Sequence, residues 1–67
     1  MAISKIPLPV ARKMANLTQK ELAEKCGVSE ATVFNWEKGK SYPNVYHVEK
    51  ICQAVGLQFD DIIFLSK

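Results

Sequence analysis

Apolar positions along the chain gather at helical spacing in five places, and no stretch alternates convincingly as a strand would. A first helix is expected to open near Pro7 to Pro9, where proline is tolerated in an initial turn, and to stop at Asn16, a residue suited to a left-handed C-terminal cap. Thr18 and Glu21 have the spacing of a capping box, and the stripe Leu22, Ala23, Cys26 then runs to Gly27, outlining a second helix. Ser29 can cap a third, with Val33 and Trp36 on one side and Gly39 at its end. After the loop SYPN, Asn44 caps a fourth with Val45, Val48, Ile51, Cys52 and Val55 on one face, closed by Gly56. A fifth is predicted to begin near Gln58 and to carry Phe59, Ile62 and Ile63, with Asp60 and Asp61 at its positive end. The expected fold is all-α: a compact five-helix bundle.

Only Gly27 and Val28 lie between Cys26 and Ser29, so the second and third helices must cross steeply, with glycine supplying a positive backbone dihedral. That is the spacing of a helix-turn-helix, in which the first helix braces and the second is pushed outward. An ordinary αα-corner would have the same spacing. The faces of the third helix separate the two readings. At 100° per residue, Val33, Trp36 and Glu37 fall on one side, Ala31, Phe34, Asn35 and Lys38 on the other, and Glu30 and Thr32 at the borders. The second group is poor as a core stripe but suits base edges: asparagine can bind adenine bidentately, a small apolar group can meet a thymine methyl, and lysine can reach guanine or phosphate. Glu30 could accept from a cytosine amino group, or serve the helix dipole instead. Phe34 could fold back onto a neighbouring loop, Ala31 could be only a good helix former, and Asn35 only a solvated residue.

Composition agrees with a small globular domain. Sixty-seven residues lie near the lower limit for one unstapled core, so a single domain over residues 1–67 is expected. The longest apolar run, Ile62 to Leu65, is far too short for a membrane span, and the N-terminal MAISKIPLPVA has no long apolar stretch of the kind a secretory signal carries, so a cytoplasmic address is expected. Cys26 and Cys52 stand apart with a single histidine, His47, which argues against a metal site and leaves both as core residues. Net charge is +2, but residues 1–40 carry seven Lys or Arg against four acids, while 41–67 carry two against three. The basic side is thus the one with the turn, a weak pointer to a polyanion.

The stretch "LTQKELAEKCGVSEATVFNWEKGKSYP" resembles the helix-turn-helix of the lambda-repressor-like family, the Cro, phage-repressor and Xre-type regulators, and "NVYHVEKICQAVGLQFDDI" resembles that family's fourth and fifth helices. The likeness runs over roughly residues 8 to 63, and departs at the front, where helix one is abbreviated and carries Pro7 and Pro9. It implies that Gln19 bonds a phosphate and that Arg12 and Glu37 form an ion pair fastening the recognition helix to its scaffold. Two solvated charges would be worth under about 1 kcal/mol. Thr18, Lys20, Thr32, Lys38, Lys40 and Asn44 border the same surface and are further candidates for the phosphate backbone.

Phe59, Ile62, Ile63, Phe64 and Leu65 are more apolar side chains than one short helix face can bury, so a symmetric homodimer through the C-terminal region is expected. Alternatively Phe64 and Leu65 fold onto helix one. The resulting expectation is a transcriptional regulator, a repressor of phage or bacterial type, that reads double-stranded DNA with helix 29–38 at a near-palindromic operator. No cofactor, metal or small-molecule ligand is expected. Enzymatic activity is not expected either, since no nucleophile motif, zinc-ligand spacing or phosphate-cradling glycine loop is present. The competing readings are a protein-interaction module of the same fold, such as an antitoxin or adaptor, and an RNA binder resting on Phe34 and Tyr42.

Overall fold

The fold is built from local stop and start signals, each placed where a helix must begin or end. A computed structural model describes residues 5–64. Strand β1 (Ile6–Pro7) leads into α1 (Leu8–Met14), α2 (Gln19–Cys26), α3 (Glu30–Lys38) and α4 (Val45–Val55); a single 3-10 turn (Phe59–Asp61) and strand β2 (Ile62–Ile63) follow. Thr18, Ser29 and Asn44 cap α2, α3 and α4 by accepting from the backbone N–H groups of Glu21, Thr32 and His47. Around Thr18 the box closes both ways, with Glu21 Oε1 taking the Thr18 N–H at 2.8 Å. Asn16, at φ 61, turns the chain out of α1, and the Leu17 and Asn16 N–H groups cover the Arg12 and Lys13 carbonyls. This is the six-to-one, five-to-two closure that a left-handed residue permits.

The helices wrap one apolar centre. Leu8 of α1, Leu22, Ala23 and Cys26 of α2, Val33 and Trp36 of α3 and Ile51 of α4 are buried together with Ile62 of β2, and Leu17, Val28, Cys52, Ala54, Val55, Leu57 and Phe64 pack around them. Leu22, Val33 and Ile51 have essentially no exposed surface. Val45, expected on the buried face of α4, is instead 76% exposed. It occupies the first helical position, and the α4 residues that meet the core are Ile51, Cys52, Ala54 and Val55.

The C-terminal segment departs from expectation in two ways. The described residues contain four α-helices, not five, and in place of the fifth the chain makes one 3-10 turn and becomes extended. The Gln58 N–H donates to Asp61 Oδ2 at 3.1 Å, and the Asp61 N–H to the Gln58 carbonyl at 3.0 Å, so Asp61 closes a single turn with Gln58. Two β-branched isoleucines follow, and so few residues cannot offset the cost of nucleating a helix. The second departure is a strand pair that no alternation announces. Ile62 lies opposite Ile6 and Ile63 opposite Pro7 in a parallel two-stranded ladder. Proline is tolerated because the ribbon is all edge. Lys5 Nζ ties the same junction by donating to the Asp60 carbonyl at 2.6 Å. Both ends of the described chain therefore meet on one side of the bundle.

Candidate nucleic-acid interface

The turn between α2 and α3 is short because Gly27 adopts φ 74, a conformation that costs a residue with a Cβ. Its N–H and that of Val28 cover the Glu24 and Ala23 carbonyls, two of the four that the end of α2 leaves open, before Ser29 starts α3. Burial then divides α3 cleanly. Val33, Trp36 and Glu37 face the interior, at 0%, 4% and 9% exposure. Glu30, Ala31, Phe34 and Lys38 are exposed, and Thr32 and Asn35 are intermediate. Phe34 does not fold back onto the core: the residue is 40% exposed, and Lys38 Nζ sits 5.5 Å from its ring centroid. The Asn35 carbonyl accepts from the Lys40 N–H at 2.9 Å and the Ser41 N–H at 3.4 Å, which turns the loop back beside the end of α3.

A buried polar network holds the inner side of α3. Arg12 Nε donates to Glu37 Oε2 at 2.7 Å, its second amino group reaches Glu37 Oε1 at 3.3 Å, and its first donates to the Leu17 carbonyl at 2.9 Å. Gln19 Nε2 supplies a further donor to Glu37 Oε1 at 2.9 Å. The carboxylate thus links α1, the start of α2 and the end of α3. Both charged residues are buried, at 8% and 9% exposure, so the pair is not a solvated surface contact. The engagement of Gln19 has no local signature in the sequence. Eighteen residues separate it from Glu37, and only the crossing of α2 and α3 brings them together.

The remaining phosphate candidates are spread around this helix pair. Lys20 and Lys40 are exposed, whereas the side-chain oxygens of Thr18 and Asn44 are committed to helix caps. Thr32 Oγ1 lies 3.0 Å from Ser29 Oγ at the start of α3. Thr18, Gln19 and Lys20 come together at the N-terminus of α2, where unpaired backbone N–H groups favour an anion.

The residues expected at a dimer contact are divided by the structure. Ile62 is only 4% exposed and belongs to the protein's own core, because β2 turns it inward. Phe64 is half-buried against that core and stacks on Phe59 with centroids 5.8 Å apart. Phe59 and Ile63 remain exposed, and Leu65 lies outside the described residues. Phe59 also lines a shallow groove of about 350 Å³ with Tyr42, Pro43, Val45, Val48 and Glu49. Burial pushes the thiols of Cys26 and Cys52 up; Lys50 partly offsets this at Cys26, whereas Asp61 adds to it at Cys52. Both are therefore protonated at neutral pH. Among the described residues no group of three metal-ligating side chains occurs, and no helix is long and apolar enough to cross a membrane.

Comparison with known proteins bears on the same stretch. A helix-turn-helix family model matches residues 11–62. An uncharacterized HTH-type transcriptional regulator of Methanocaldococcus jannaschii is 43% identical over 51 residues, which is 76% of this chain and 77% of that one. Another, from Methanothermobacter thermautotrophicus, is 39% identical over 54 residues, covering 81% and 78%. The HTH-type transcriptional activator BcrR of Enterococcus faecalis is 38% identical over 48 residues, which is 72% of this chain but 24% of BcrR. No solved structure gives a significant match.

Proposed function

The chain belongs to the lambda-repressor-like helix-turn-helix family of DNA-binding transcriptional regulators, and we propose that it acts as a sequence-specific repressor that reads the major groove with α3. The observation that carries this reading is the two-sidedness of α3: Val33, Trp36 and Glu37 are locked inward while Glu30, Ala31, Phe34 and Lys38 stand exposed. Asn35 is assigned to an adenine edge, Lys38 to guanine or phosphate, Ala31 and Phe34 to apolar contact, and Glu30 to a cytosine amino group. Thr18, Gln19, Lys20, Thr32, Lys40 and Asn44 serve the phosphates. For Gln19 that contact runs through the second amide hydrogen and the backbone N–H, since Glu37 takes the first. The Arg12–Glu37 pair keeps α3 at a fixed angle to its support.

Action is by binding and not by catalysis, in the cytoplasm and on the chromosome. Repression needs only that the occupied site be denied to other proteins. Two copies, joined through a face containing Phe59 and Ile63 and not Ile62, would set their recognition helices about 34 Å apart on successive turns of the groove and require a near-palindromic operator. The exposed apolar side chains on that side of the molecule support the assembly.

The test is selection of the protein on a randomised duplex pool at about 150 mM salt, beside an Asn35→Ala control. Recovery of a two-fold site, blurred at one base pair per half by the substitution, is the expected result. Failure of both proteins to enrich any sequence would refute the reading and favour a protein-interaction module. A promoter carrying the recovered site should lose transcription as protein is added, and a gain would replace repression by activation.

A further inference from the structure

The exposed side of α3 contains one side chain that neither the core nor the electrostatics of DNA binding accounts for. Phe34 belongs to neither the buried cluster nor the shell of half-buried residues packed on it. It stands at the middle of a stripe with Ala31 three residues before and Lys38 four residues after, all three exposed. These are the spacings at which helical side chains touch. Lys38 Nζ lies 5.5 Å from the ring centroid, within the range where an ammonium is attracted to an aromatic face.

This pairing changes what the ring can enter. The face of a bare phenyl ring carries negative charge density and is poorly suited to a groove lined with phosphates and base acceptors. With an ammonium across one face, that density is partly offset and the side chain becomes an apolar wedge with a cation attached. The remaining face and edge, continued by the Ala31 methyl, offer a surface with no donor or acceptor. In the major groove one base presents an apolar group of its own, the C5 methyl of thymine, whereas cytosine presents an amino group that would lose water against the ring without gaining a partner.

We propose that Phe34, with Lys38 drawn across it, is a specificity-determining residue that recognises the C5 methyl of one thymine in each half-site. The proposal rests on the DNA-reading function above and deepens it. Covering one methyl is worth about 0.8 kcal/mol, or about fourfold in affinity.

The probe is the duplex recovered by selection, with each thymine replaced singly by deoxyuridine, a change that removes one methyl and leaves base pairing intact. Wild-type protein should lose about fourfold in affinity at one position per half-site. Phe34→Ala should bind the unmodified duplex more weakly and show no difference between thymine and uracil at that position. Because the ring lies outside the core, this variant should melt with wild-type protein, and that is checked first. Uniform tolerance of uracil by wild-type protein overturns the proposal while leaving DNA reading intact. So does a sensitivity that persists in Phe34→Ala, which would assign the methyl to Ala31. Absence of any selected duplex overturns both this inference and the function it rests on.

Discussion

Removing Arg12 should damage the scaffold severely, for a reason that the network geometry makes quantitative. In Arg12→Ala the Glu37 carboxylate loses its 2.7 and 3.3 Å donors and keeps only Gln19 Nε2 at 2.9 Å, while the Leu17 carbonyl loses its guanidinium partner. Glu37 is 9% exposed, so water cannot replace what is lost without opening the junction of α1, α2 and α3. Breaking a buried pair from one side costs about 3–5 kcal/mol. A 67-residue domain holds roughly 3–10 kcal/mol in total. The expected fall in melting temperature is on the order of 15–30 °C. Urea unfolding followed by far-ultraviolet circular dichroism and by Trp36 fluorescence measures the loss, because Trp36 is buried beside Glu37. Replacing both partners, as in Arg12→Met with Glu37→Leu, should recover most of it, since no charge is then left buried. A loss below about 1 kcal/mol for Arg12→Ala would show that the pair behaves as a surface contact and would refute the claim that it fastens α3.

Gly27→Ala should cost about 1 kcal/mol, all of it from the backbone, since φ is 74 and an added Cβ meets nothing within 4 Å; a loss several times larger in the same urea assay would reveal a packing constraint instead. With Lys20 and Lys40 of two copies on phosphates, the logarithm of affinity for the selected duplex should fall with the logarithm of salt at a slope of about −3.6, and Lys40→Ala, which removes one cation from each copy, should make it shallower by about two; an unchanged slope removes Lys40 from the set. Burial raises both thiols above their ordinary value of 9.0, so the folded chain holds those protons more tightly than the unfolded one. That contribution to stability is fully present below the ordinary value and is lost as pH rises from there through the raised values. Urea midpoints should therefore decline more steeply between neutral and strongly alkaline pH in the wild-type protein than in Cys26→Ala with Cys52→Ala, and parallel declines would contradict the assignment.

What the sequence by itself determined is everything governed by contacts within one turn of chain. Thr18 with Glu21, Ser29 and Asn44 each satisfy a backbone donor three residues ahead, and Asn16, Gly27 and Gly39 each take the left-handed conformation that ends a helix. The energy of those choices is local, so the positions of α1 to α4 are legible from residue order, and so is the inward side of α3, set by Val33 and Trp36 at helical spacing. The tail and the network are different. Strands of two residues carry no periodicity, and whether Ile62 and Ile63 coil or extend depends on Ile6 and Pro7, more than fifty positions away, offering a ladder. That distant partner drew Ile62 into the core and away from a dimer surface. The bond from Gln19 to Glu37 likewise exists only because the Gly27 turn swings α3 across α2. The orientation of Phe34 beneath Lys38 depended on whether any neighbouring element closed over the ring, and none of the described elements does. Tertiary structure decided these matters because each depends on what lies beside a residue in space, which a pattern along the chain does not record.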